Sequence, residues 1–189
     1  MKSIILNGSN GADTSITSID REITLKLEEN GWDVENIHLN EEKIATCIGC
    51  FGCWLETPGE CIIKDKGQEL AKKVIQSDLL VLLTPITFGG YSYQLKKIVD
   101  RLIPNILPFF IKIDGEIHHQ PRYEKNPNLL AIGYLPQSDT ESELIFTKLI
   151  RRNAINMHCP NYHVQIITGE VKKLDLDKSI IIHDNGVIK

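Results

Sequence analysis

Leu79-Leu80-Val81-Leu82-Leu83 runs into Thr84-Pro85-Ile86-Thr87-Phe88-Gly89-Gly90-Tyr91-Ser92, and then into Gln94-Leu95-Lys96-Lys97-Ile98-Val99-Asp100-Arg101-Leu102. Five consecutive apolar residues are the mark of a strand covered on both faces. The proline, the paired glycines and the aromatics end that strand in a loop. Leu95, Ile98, Val99 and Leu102 then recur at helical spacing, up to Pro104. The stretch reads strand, loop, helix, with the loop at the strand's carboxyl end.

The same grammar extends both ways. Residues 3–7 form a short apolar run that ends in Asn-Gly-Ser, and Ile16, Ile19, Ile23 and Leu27 follow as a helical stripe stopped by Gly31. Residues 32–37 read as a second strand. Asp65 is placed to cap a helix carrying Leu70, Ala71, Val74 and Ile75. Residues 129–133 predict a fourth strand. Ser138 and Glu141 have capping-box spacing ahead of a helix with Leu144, Ile145 and Leu149, and residues 163–168 predict a fifth strand. Such alternation predicts an α/β fold: a doubly wound, five-stranded parallel sheet with helices on both faces. Residues 103–128, rich in Pro and His, break the rhythm as an excursion. A hairpin-like tail is expected over 171–189, turning at Asn185-Gly186. With 189 residues, the chain is expected to form a single domain.

Composition narrows the function. The apolar share of 42% supports a sizeable core, and a net charge of -4 without a basic stripe argues against nucleic acid. No apolar run approaches the ~18 residues of a membrane span. The opening Met1-Lys2-Ser3-Ile4 lacks the pattern of a signal peptide, so a cytoplasmic location is expected. There, clustered cysteines point to metal or redox chemistry before disulfides.

Doubly wound sheets bind ligands beyond the carboxyl ends of their strands. The first strand supplies Asn7-Gly8-Ser9-Asn10-Gly11-Ala12-Asp13-Thr14-Ser15 at that place. Glycines let backbone amides approach a ligand, the hydroxyls donate hydrogen bonds, and the following helix presents its positive end. Neither a P-loop nor a G-x-G-x-x-G fingerprint is present. A lysine-free loop of this kind suits one terminal phosphate; an ordinary turn capped by Asp13 or Thr14 is the alternative. Likewise, residues 84–92 suit a flat ring, or else form a plain aromatic-bearing crossover.

Four of the five cysteines lie in Cys47-Ile48-Gly49-Cys50-Phe51-Gly52-Cys53-Trp54 and Pro58-Gly59-Glu60-Cys61, a C-x2-C-x2-C-x7-C spacing. Three readings stand: a [4Fe–4S] cluster on Cys47, Cys50, Cys53 and Cys61, a four-thiolate zinc, or a cluster-free loop of packed or redox-active thiols. His118, His119, Arg122 and Tyr123 read as solvated loop or subunit contact, Arg151-Arg152 as exposed charge near a helix end, and Cys159 as an inert, partly buried thiol. No residue declares itself an acid–base catalyst.

Residues 85–102 resemble the NAD(P)H-dependent FMN reductase and iron–sulfur flavoprotein group of flavodoxin-like proteins, with a Pro-aromatic-Gly loop entering a Gln-Leu-Lys…Asp-Arg-Leu helix. Gly8-Ser9 matches the start of that group's phosphate loop, and the four cysteines match its cluster motif. The first loop is shorter than in that group and lacks its Pro-Arg step. The resemblance implies an FMN oxidoreductase fed by NAD(P)H, with a small-molecule or protein electron acceptor, and a homodimer or higher homo-oligomer is expected. Ser9, Asn10, Thr14, Ser15 and Ile16 would surround the phosphate. Pro85, Ile86, Thr87, Phe88, Gly89 and Gly90 would line the isoalloxazine. An iron–sulfur electron carrier and a non-enzymatic thiol sensor are the alternatives.

Overall fold

The computed structural model describes residues 1–11 and 14–169. The tail expected at 171–189 and the cap expected of Asp13 lie outside the described residues. In chain order the elements are β1 (Lys2–Asn7), α1 (Thr14–Glu29), β2 (Asp33–His38), a single turn α2 (Gly52–Leu55), α3 (Lys66–Gln76) and β3 (Leu79–Pro85). Next come α4 (Tyr93–Val99), which tightens into a 3₁₀ turn over Asp100–Asn105, then β4 (Ile106–Ile113) and β5 (Glu116–Pro121). Finally β6 (Asn128–Leu135), α5 (Thr140–Asn156) and β7 (Tyr162–Thr168) close the described chain.

Five strands pair in parallel in the order β2-β1-β3-β6-β7, the flavodoxin-like arrangement. Asn7 stands opposite both His38 and Leu83, so β1 and β2 end level, β3 runs two residues further, and their following loops leave from one edge. Alternate residues serve opposite faces. Ile4, Leu6, Leu80, Leu82, Leu129 and Ala131 meet Leu70, Val74, Leu95, Ile98, Phe146 and Ile150 from α3, α4 and α5. On the other face Ile5, Val81, Leu83, Leu130 and Ile132 meet Ile16, Ile19, Ile23 and Leu27 of α1. Each fully buried Leu or Ile contributes about 1.5–3 kcal/mol, which secures the sheet before any loop is considered.

Asp65 caps α3 as its position predicts, accepting hydrogen bonds from the amides of Gly67 (3.0 Å) and Gln68 (3.4 Å). Elsewhere the structure corrects the sequence reading. Asp139, not Ser138, caps α5, accepting from the amides of Glu141 and Ser142, and Glu143 in place of Glu141 bonds back to Ser138 and Asp139. The buried stripe of α5 is Phe146, Ile150 and Ala154, while Leu144 and Ile145 are exposed. Pro104 lies inside the 3₁₀ turn that continues α4 rather than ending the helix. Much of the excursion at 103–128 is an antiparallel ribbon, β4–β5, turning at Asp114-Gly115 with positive φ at both residues. No helix among the described residues is long and apolar enough to cross a membrane.

Candidate functional site

Two turns meet at the carboxyl edge of β1 and β3. The Gly8 amide donates to the Leu83 carbonyl (2.8 Å), and the Ser92 hydroxyl donates to the Gly8 carbonyl (2.6 Å). The Ser92 amide donates to Thr84 Oγ1 (2.9 Å), so the start of α4 is pinned to both strands. A Cβ at Gly8 would stand 2.6 Å from Leu95 Cβ and 2.6 Å from Ser92 Oγ, which makes glycine the steric condition for this close approach.

Within the first turn, Ser9 is buried and its amide is held by Asn7 Oδ1 at 2.9 Å. Asn10 is exposed and its carbonyl accepts from Asn40 at 3.4 Å. Thr14 opens α1 and is exposed, Ser15 is half-buried, and the Ile16 side chain belongs to the core. Only the backbone of Ile16 therefore faces the turn. This combination of amides and hydroxyls at the positive end of a 16-residue helix suits one anion.

The second turn is tighter. Thr87 and Gly90 exchange hydrogen bonds of 3.0 and 2.9 Å, with Phe88 (φ 49°) and Gly89 (φ 73°) between them, a two-residue turn of the primed type. Ile86 points inward over Gly133, where a Cβ would meet it at 2.6 Å, and Gly89 lies against Ile145 of α5. Phe88 is 98% exposed at the tip. Pro85, Ile86, Thr87, Gly89 and Gly90 thus form a backbone-defined ledge beside the first turn.

The cysteine segment follows β2 and borders the 3₁₀ turn and the ribbon. Cys47 and Cys50 are exposed, Cys53 on α2 is buried and Cys61 is partly buried. Burial first, then the neighbouring Cys61, Cys47 and Cys50, pushes the Cys53 thiol above its ordinary value, so the other three sulfurs of the motif lie close enough to act on it. No group of three or more His, Cys, Asp or Glu among the described residues is arranged around a common point for a metal ion. A single zinc needs four sulfurs at ~2.3 Å from one centre. A cubane presents a separate iron to each thiolate and needs them wider apart. Either group would be held by Cys47, Cys50, Cys53 and Cys61, the other three sulfurs lying near enough to Cys53 to influence it.

Aromatic contacts tie this segment to the ribbon. Phe51 stacks on Trp54 (5.2 Å between centroids), and Trp54 and Phe110 each pack tilted against His119 at 4.9 Å. Trp54 Nε1 donates to the Ile106 carbonyl at 2.9 Å. His118 and His119 are accordingly half-buried strand residues, not solvated loop. Arg151 and Arg152 are exposed as expected, with Arg152 paired to Glu116. Burial pushes the Cys159 thiol up to about 12, in keeping with an inert sulfur.

The most deeply placed charge was not legible in the sequence. Arg101 is 1% exposed and grips Asp65 through both terminal nitrogens, at 2.7 and 3.0 Å, while also donating to the carbonyls of Ala45 and Ile63. Burial alone would raise the Asp65 carboxyl, but the hydrogen bonds from Arg101 and Ala45 outweigh it and hold Asp65 below the usual carboxylate range.

Fold and edge together define a flavodoxin-like protein with an anion-ready turn beside a backbone ledge. The model of the NADPH-dependent FMN reductase family matches residues 1–115, and the chain belongs to that family. Over 119 residues it is 36% identical to an iron–sulfur flavoprotein of Methanocaldococcus jannaschii, covering 62% of this chain and 61% of that relative. Over 79 residues it is 35% identical to an iron–sulfur flavoprotein of Archaeoglobus fulgidus, covering 42% of this chain and 35% of that one. The chain thus spans between about a third and three fifths of the length of these relatives. In architecture it is similar to an NAD(P)H:quinone oxidoreductase from Methanothermobacter marburgensis (TM-score 0.67, 14% identity, 96% of this chain, 89% of that one). It is also similar to an FMN-dependent NADH-azoreductase from Bacillus anthracis (TM-score 0.63, 14% identity, 96% and 92% coverage).

Proposed function

We propose that this chain is an FMN-binding oxidoreductase that takes reducing equivalents from NAD(P)H and passes them to a small-molecule or protein acceptor. The observation that carries this reading is the junction of the two turns at the β1/β3 edge, the switch point of this strand order. FMN, when bound, supplies the hydride and electron chemistry; the protein supplies binding and orientation. The amides and hydroxyls of Ser9, Asn10, Thr14, Ser15 and Ile16 bind the phosphate. The ledge of Pro85, Ile86, Thr87, Phe88, Gly89 and Gly90 orients the ring through backbone groups, with Phe88 free to cover it. No acid–base side chain is required of the protein.

A second reading is favoured by the closeness of three motif sulfurs to Cys53 and by the printed names of the relatives: an electron carrier in which Cys47, Cys50, Cys53 and Cys61 also hold a [4Fe–4S] cluster. In either case we place the protein in the cytoplasm as a single flavodoxin-like domain. We take it to be a homodimer, with the apolar ribbon face (Phe110 66% and Ile117 74% exposed) covered by a second copy.

The test is the visible spectrum of anaerobically purified protein, followed by NADPH addition. Flavin bands that bleach with NADPH support the oxidoreductase, and an added broad iron–sulfur shoulder supports the carrier. Colourless protein that gains no thermal stability from FMN would overturn both and favour a thiol sensor.

A further inference from the structure

Arg101 is the largest fully buried side chain among the described residues, and it links the two halves of the site. It follows α4, whose first turn is bonded to Gly8 and Thr84 through Ser92, and it reaches across to the chain on both sides of the cysteine segment. A guanidinium has five N–H donors. Four are spent: Nη1 on the Ala45 carbonyl (2.9 Å) and Asp65 Oδ2 (3.0 Å), Nη2 on the Ile63 carbonyl (3.0 Å) and Asp65 Oδ1 (2.7 Å). The fifth, on Nε, is buried without a partner. Buried donors on charged groups are rarely left that way, and each asks for an explanation.

The Cys61 thiol lies against this guanidinium and is the cysteine sulfur that acts on it. Cys61 is also the outlying member of the motif, separated from Cys53 by seven residues, and its carbonyl is held by Gln68 Nε2 at 2.8 Å. The clamp needs a small neighbour. A Cβ at Gly67 would come within 3.2 Å of Arg101 Cζ and 3.1 Å of Asp65 Oδ1.

We propose that Arg101 is a positioning residue for the cysteine segment, and that its spare Nε–H donates to the Cys61 sulfur when that sulfur ligates a [4Fe–4S] cluster. This rests on the cluster reading above. Four thiolates make the cluster anionic, and reduction adds another negative charge, so an N–H donor at a ligating sulfur favours the reduced state. Asp65 fixes the guanidinium and offsets most of its long-range charge, leaving the local hydrogen bond as the acting element.

The experiment is anaerobic reconstitution of the full chain with ferrous iron and sulfide, as wild type, Arg101→Met and Arg101→Lys. Iron and sulfide are counted per chain, and the cluster is titrated potentiometrically with electron paramagnetic resonance detection. Wild type is expected to take up about four irons. In Arg101→Met the reduced-to-oxidised ratio at a fixed potential should fall about tenfold, a shift of ~59 mV for one electron. Arg101→Lys keeps the cation but not the Nε–H, and should retain iron with a smaller fall. Equal potentials in wild type and Arg101→Met at equal iron would overturn this proposal and leave the cluster reading intact. Wild type that takes up no iron would overturn both. Should Arg101→Met fail to fold by circular dichroism, Arg101→Lys decides, and a potential unchanged from wild type would overturn the proposal.

Discussion

The loops at the β1/β3 edge and the cysteine segment lie at neighbouring margins of one sheet, yet they are held in opposite ways. At the edge the anchors are largely backbone: Gly8 to Leu83, Thr87 to Gly90, with Ser92 joining the two turns. The cysteine segment has only the four-residue α2, and side-chain contacts fasten it: Arg101 from beyond α4 at its flanks, and its own Trp54 donating to the ribbon. A backbone-built site keeps its shape whether or not a ligand arrives. A site hung from side chains depends on a few contacts and on what its thiols bind.

That contrast can be broken experimentally. The largest effect is expected at the ion pair, because removing one partner strands a buried charge at a cost of about 3–5 kcal/mol. Asp65→Asn should show it in urea unfolding, with near-wild-type stability as the result that contradicts the side-chain account. The pH dependence has a definite sign. Asp65 is depressed in the folded state, so its contribution is complete above the unfolded value of ~3.9 and is lost as pH falls through its lower folded value. Acid titration of Asp65→Asn should therefore lack a stability loss that wild type shows below pH ~4.

Next is Gly8→Ala, which drives a methyl into Leu95 and Ser92 and should cost about 1–3 kcal/mol, with weaker FMN binding by fluorescence titration. Wild-type stability there would mean that the edge gives more readily than its contacts indicate. Trp54→Phe removes one hydrogen bond while keeping a ring, a loss of about 0.5–1.5 kcal/mol. It should raise alkylation of Cys53 more than it alters FMN affinity; equal effects on both would erase the distinction between the regions. The smallest effect is Phe88→Ala, within about 0.5 kcal/mol because the ring touches solvent. Thr14→Leu should likewise spare stability while weakening FMN binding, and unchanged affinity would argue against a phosphate at the head of α1.

The sheet was legible because its strands announce themselves: residues 79–83 and 129–132 are apolar without interruption and are buried to the last residue. The cap at Asp65 was equally plain. At α5, Ser138 and Asp139 are both competent caps one residue apart, and only the chain's path into the helix selects Asp139; the apolar stripe shifts with it. The ribbon was hidden by Pro108 and the two histidines, although Asp114-Gly115 is a strong hairpin signal that was there to be used. Arg101 could not be seen. Its partner lies 36 residues away, and within 94–102 it reads as one more charge on a helix. The gathering of the cysteines was visible as spacing, whereas what fastens them came only from tertiary contacts.

The β4–β5 ribbon pairs with no strand of the main sheet, and the family match stops at residue 115, its turn. Lengthening or trimming the ribbon's tip therefore shifts no hydrogen-bond register among the five parallel strands. The tip can thus vary in length while the two turns at the β1/β3 edge keep their hydrogen bonds.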